Sequence, residues 1–111
     1  MNEVMNVDVA QARDVVAQGA LLLDVREDSE FEVGHAPQAH HVPLGDVPDH
    51  LDDLPRDRQI VCVCRSGGRS KRAATFLMEN GFDVVNLEGG MTAWAQTGAP
   101  LESELGEATI G

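Results

Sequence analysis

Cys64 is delivered by an apolar run, Ile60-Val61-Cys62-Val63, into the glycine-rich, basic turn Cys64-Arg65-Ser66-Gly67-Gly68-Arg69-Ser70. A thiol carried from a strand to the start of a helix is placed to act as an anion. A helix start offers unpaired backbone N–H groups and the positive end of the macrodipole, and both stabilise negative charge. Gly67 and Gly68 let the chain curl with its N–H groups facing inward, because glycine enters positive φ without a side-chain penalty. An ordinary thiol titrates near pH ~8.5, and a ring of such donors lowers that value, so Cys64 is expected to be a thiolate nucleophile. Arg65 is expected to point away from the ring toward an anionic substrate, and Arg69 to donate to loop carbonyls or to substrate. Cys62, inside the apolar run, reads as a small core residue rather than a redox partner.

Composition bounds what this thiol serves. At 111 residues the chain fits one domain, and 42% apolar with 24% charged residues is ordinary for a globular protein. A formal charge of −11, from eight Lys and Arg against nineteen acids, argues against nucleic acid as a partner. Half of the basic residues, Arg65, Arg69, Lys71 and Arg72, nevertheless lie beside the Cys64 turn, an island able to guide a small anion inward. Two cysteines make no disulfide framework. No apolar run is long enough for a membrane span and the first residues lack signal-peptide character, so a reducing cytoplasmic location is expected. His35, His40, His41 and His50 show no ligand spacing; no metal and no other cofactor is expected.

Short apolar runs alternate with amphipathic segments, which predicts an α/β domain with a mostly parallel sheet. Expected strands are Glu3 to Asn6, Leu21 to Asp24, Ala39 to Val42, Ile60 to Cys64 and Asp83 to Leu87. Leu21-Leu22-Leu23 and Ile60 to Val63 lack alternation and suit central strands covered on both faces. Expected helices run from Asp8, with Gln11 completing a capping box, to a stop at Gly19; from Ser29 to Val33; from Asp46 to Leu51; from Arg69 to Asn80; and from Met91 to Gln96. Trp94, Phe31, Phe76 and Phe82 are assigned to the core, and Gly89-Gly90 to a tight turn. The domain is placed at residues 1–97, followed by an acidic tail over 98–111 that lies on the surface or frays. Ligands of parallel sheets bind beyond the carboxyl ends of the strands, here at Cys64, Asp24 and Arg26. Asp24 and Arg26 are expected to form a polar pair that braces the loop.

Three blocks between residue 3 and Trp94 carry a family resemblance: Leu22 to Glu27 running through Phe31 to Gly34-His35-Ala36-Pro37; Cys64 to Ser70; and Leu87-Glu88-Gly89-Gly90-Met91-Thr92-Ala93-Trp94. In order and spacing they resemble a single rhodanese domain, with Ala36, Gln38 and His40-His41 as departures near the pocket rim. The resemblance implies a rhodanese-like fold with a five-stranded sheet. It also implies sulfur transfer through a Cys64 persulfide, with Arg65, Ser66, Gly67, Gly68, Arg69 and Ser70 as the substrate loop. Thiosulfate or a related anion would be the donor, and cyanide, a small thiol or a protein thiol the acceptor. A sulfur relay or a regulatory module acting on a protein partner would use the same fold. Phosphatases and arsenate reductases with a related loop place arginine six positions after cysteine, whereas here Arg69 stands at five and Ser70 at six.

Overall fold

The computed structural model describes residues 3–111. Its centre is one sheet of five strands: β1 (Met5–Val7), β2 (Leu21–Asp24), β3 (Ala39–His41), β4 (Ile60–Val63) and β5 (Val84–Leu87). All neighbouring pairs are parallel, in the order β1-β5-β4-β2-β3. The α/β class and the five-stranded sheet agree with the sequence reading, and the sheet is wholly rather than mostly parallel. Leu23 of β2 stands opposite Cys62 of β4, and Asp24 opposite Val63, so both strands release their chains at one edge.

The two faces of the sheet are covered by different helices, as alternation along a strand requires. Helix α1 (Val9–Ala17) and helix α4 (Gly90–Gln96) cover one face, where Ala12, Met91 and Trp94 pack on Leu22, Val61, Val63 and Val85. Helix α3 (Gly68–Glu79) and a 3-10 segment (Leu44–Asp53) cover the other, where Ala73, Leu77 and Val47 pack on Leu23, Ile60, Cys62 and Val84. The Asp8 and Gln11 capping box starts α1 with reciprocal bonds of 2.8 and 3.0 Å. The segment expected to be an α-helix from Asp46 is instead 3-10, because Pro48 lies inside it and lacks the N–H that an α-helical turn uses. Among the described residues no helix is long and apolar enough to cross a bilayer.

Helix α2 (Asp28–Val33) has no fully buried residue and depends on polar ties. The strongest comes from β2, where Asp24 and Arg26, 0% and 1% exposed, form a buried pair at 2.7 Å. Arg26 Nη2 also donates to Gly34 O at 2.7 Å and Nη1 to Glu30 O at 3.4 Å, so one guanidinium joins Asp24 at the end of β2 to the middle and the C-terminal cap of α2. Phe31, expected in the core, is only half-buried and is stacked between the His35 ring at 3.8 Å and the His41 ring at 4.3 Å. His35 and His41 bond the carbonyls of Phe31 and Arg26 at 2.6 and 2.7 Å.

Residues 98–111, expected as a surface tail, are tied to the domain: Ala99 is buried in the core with Trp94, Leu101 and Ile110 pack against it, and the rest runs beside α2. Trp94 Nε1 donates to Pro100 O at 2.8 Å, Glu102 exchanges backbone bonds with His35 at 2.8 and 2.9 Å, and Thr109 N donates to Val33 O at 2.9 Å. Gly34 is required beneath this strap, since a Cβ there would collide with the Thr109 carbonyl. Removing Arg26 should expose the dependence of this region on the buried pair. Arg26→Met strands the Asp24 carboxylate and is expected to cost about 3–5 kcal/mol in urea unfolding. A loss below about 1 kcal/mol would mean that the pair behaves like a surface bridge.

Candidate active site

Strand β4 ends at Val63, so Cys64 is the first residue of the loop rather than the last of the strand. Its residue is 1% exposed, and its Sγ accepts the Gly67 N–H at 3.1 Å. Gly67 stands at the N-cap of α3 with φ of +111°, a conformation that favours glycine and turns its amide back toward the sulfur. Burial by itself pushes the Cys64 thiol up. The Ser70 hydroxyl and the backbone N–H groups of Ser70, Gly67 and Ser66 outweigh it and hold the thiol below its ordinary value. Cys62 lies on the same side of the sheet, fully buried, and burial followed by repulsion from Cys64 pushes its thiol far up. The two thiols therefore have opposite chemistry two residues apart.

The carbonyls of the loop are bound from behind. Met91 N donates to Cys64 O at 2.8 Å and Thr92 N to Arg65 O at 3.0 Å, which uses the otherwise unpaired amides at the start of α4. Gly90 must be glycine for this approach: a Cβ there would collide with Cys64 O and stand 2.6 Å from Arg65 C. The Gly89-Gly90 turn thus does more than connect β5 to α4.

Ser70 and Asn86 form the buried wall of the cup. Ser70 Oγ donates to Asn86 Oδ1 at 2.6 Å, while Asn86 Nδ2 donates to Asn6 Oδ1 at 3.1 Å and Gly67 O at 3.3 Å. Those two acceptors set the orientation of the Asn86 amide. The Ser70 hydroxyl also approaches Gly67 O at 3.3 Å, so its proton is directed at the Asn86 oxygen and the loop backbone. Asn86 was not singled out from sequence because a lone Asn in a strand carries no motif; its signal is a polar residue in an otherwise apolar central run.

Arg65 and Arg69 diverge. Arg65 is exposed beside a hollow shared with Arg26, Ser29 and Glu30. Arg69 donates to both Glu30 oxygens at 2.7 and 2.9 Å rather than to loop carbonyls. Glu30 was the missing partner, 39 residues away in the chain. Among the described residues the Asp24 and Arg26 side chains make no hydrogen bond to the loop. They hold α2, and α2 holds Arg69.

The thiol thus sits in a glycine-rich cup beyond the carboxyl end of the central strand β4 of an all-parallel α/β sheet. The rhodanese-like domain model matches residues 8–97, and the chain belongs to that family. YtwF of Bacillus subtilis (strain 168) is 40% identical over 94 residues, which is 83% of this chain and 91% of YtwF. The thiosulfate sulfurtransferase GlpE of Pseudomonas syringae pv. syringae (strain B728a) is 35% identical over 98 residues, 87% of this chain and 92% of GlpE. The crystal structure of a rhodanese-related protein from Thermoplasma volcanium aligns with a TM-score of 0.83 and 28% identity, covering 88% of this chain and 97% of that one.

The Glu30 to Arg69 bridge generates a pH prediction. The Arg69 bond, opposed by burial and aided by the Glu27 amide, draws the Glu30 carboxyl from 4.5 to about 2. A carboxyl lowered on folding contributes stability fully above pH 4.5 and loses it as pH falls toward about 2. Glu30→Gln should therefore be modestly less stable than the parent at neutral pH, the bridge being about one-third exposed and screened by solvent. Urea midpoints measured across pH should converge at the acid end. A difference that stays constant across that range would contradict the assignment.

Proposed function

We propose that the protein is a sulfurtransferase that carries sulfur on Cys64. The observation that supports this most is the Gly67 amide at 3.1 Å from Cys64 Sγ, within a loop that lowers the thiol's pKa. Family membership and the resemblance to a thiosulfate sulfurtransferase support thiosulfate, or an anion like it, as donor.

The cycle has two displacements at sulfur. The Cys64 thiolate attacks the outer sulfur of thiosulfate; a Cys64 S–S bond forms, the donor's S–S bond breaks, and sulfite leaves with the bonding pair. The product is a Cys64 persulfide anion. An acceptor thiolate or cyanide then attacks the terminal sulfur, and Cys64 leaves as thiolate. Charge balances in both steps and the nucleophile is already deprotonated, so no general base is required. The amides of the cup stabilise the anion before loading, and they remain directed at the persulfide after it. Ser66, Gly67, Gly68 and Ser70 shape this cup, Arg65 supplies positive charge at its mouth, and Arg69, paired with Glu30, fixes the mouth to α2. Asp24 and Arg26 act from behind α2 as positioning residues. The free Cys62 and Cys64 thiols suit a reducing compartment, and the cytoplasm is the proposed location.

Loading tests the proposal. Incubation with thiosulfate should add the mass of one sulfur atom to the intact chain and to Cys62→Ser, and none to Cys64→Ser. Loading that survives Cys64→Ser but is lost in Cys62→Ser would move the chemistry to the other thiol.

A further inference from the structure

Asn86 is the only polar residue of β5 and is buried within the sheet, 3% exposed. Its neighbours in register are Cys62 of β4, two residues before the reactive thiol, and Asn6 of the edge strand β1. A buried amide costs free energy unless its polar atoms are bonded, and a leucine of similar volume would fill the place without that demand. The amide meets the demand in full. Nδ2 donates to Asn6 Oδ1 at 3.1 Å and to Gly67 O at 3.3 Å, and Oδ1 accepts from Ser70 Oγ at 2.6 Å.

Two of these three bonds reach the start of α3. The groups that hold the Cys64 thiol low against its burial come from the same stretch, Ser66, Gly67 and Ser70, whereas the sulfur is carried by the chain leaving β4. The separation of sulfur from donors is therefore the separation of a helix end from a sheet. Gly67 O also accepts the Lys71 amide at 3.1 Å, but that bond lies within α3 and moves with it. Arg69 is bonded to Glu30 of α2. Among the described residues, the hydrogen bonds of Asn86 are those that fasten positions 67–70 to the sheet.

Building on the sulfurtransferase reading, we propose that Asn86 is a positioning residue for Cys64: it clamps the start of α3 to β5 at the distance at which the Gly67 amide reaches the sulfur. Loosening the clamp withdraws an N–H donor from the anion. A larger share of the sulfur then stays protonated, and attack on thiosulfate slows wherever the thiol is only partly ionised.

A single substitution would mix two effects, because without Asn86 the Ser70 proton is free to turn toward the sulfur and offset the loss. The test therefore uses Ser70→Ala, in which the Gly67 contact of Asn86 is the one left to remove. Thiolate absorbance and the rate of sulfur loading from thiosulfate are followed from about pH 6 to pH 10 in Cys62→Ser/Ser70→Ala, with and without Asn86→Leu. Asn86→Leu should raise the Cys64 midpoint by about half to one pH unit, as expected for the loss of one hydrogen bond. Loading should fall by about three- to tenfold below both midpoints and converge with its parent above them. Urea unfolding establishes that the compared variants are folded. Asn86→Thr, suited to a central strand but one bond too short to hold Gly67 O, replaces the leucine variant if that one does not fold.

A midpoint unmoved in the folded variant, or loading lowered by one factor at every pH, would overturn the clamp. A midpoint that responds to Asn86 while Cys62→Ser with Ser70 intact takes no sulfur from thiosulfate would instead overturn the sulfurtransferase reading and leave the clamp in place.

Discussion

The direction of two carbonyls governs the thiol loop. Cys64 O and Arg65 O face the start of α4, where the Met91 and Thr92 amides receive them at 2.8 and 3.0 Å. With those carbonyls bound on the outside, the loop presents its N–H groups on the inside, and the Gly67 amide reaches Cys64 Sγ. A peptide turned the other way would aim a carbonyl oxygen at the sulfur and raise its pKa rather than lower it. The absence of a side chain at Gly90 is therefore a condition of the thiol's chemistry, though Gly90 lies 26 positions beyond Cys64.

A second line of contacts fixes the mouth of the cup. Asp24 neutralises Arg26 inside the protein, Arg26 clasps the carbonyls of Glu30 and Gly34, and Glu30 holds Arg69 by two bonds. Each link leaves the next polar group satisfied, and no buried side-chain nitrogen or oxygen among the described residues lacks a partner. Among the described residues Arg65 and Arg72 have no ion pair, and they border different hollows, in a protein of net charge −11. Positive potential is thus concentrated where an anionic sulfur compound would approach.

Central strands and the thiol loop were legible in the sequence because their signals are local. Leu21 to Leu23 and Ile60 to Val63 are continuous apolar runs, and the glycines follow Cys64 directly. Edge strand β1 (Met5–Val7) starts two residues and ends one residue after the expected Glu3 to Asn6, because Met5 and Asn6 are exposed and leave no burial pattern; its register comes from pairing with Val85 to Leu87. The bond of Glu30 to Arg69, the approach of Gly90 to Cys64 and the Asn86 to Ser70 contact join residues far apart in the chain, so no spacing rule announces them. Phe31 was misassigned because aromaticity alone does not distinguish a core ring from one stacked between two imidazoles.

The cup lowers the pKa of the Cys64 thiol against its burial, and the Ser70 hydroxyl is among the groups that lower it. Thiolate absorbance titrated against pH in Cys62→Ser, with and without Ser70→Ala, addresses it directly. Cys64 should titrate below the ordinary thiol range of about 8.5, and removing the Ser70 hydroxyl should move the midpoint upward. A midpoint at or above that range in the parent, unmoved by Ser70→Ala, would contradict it.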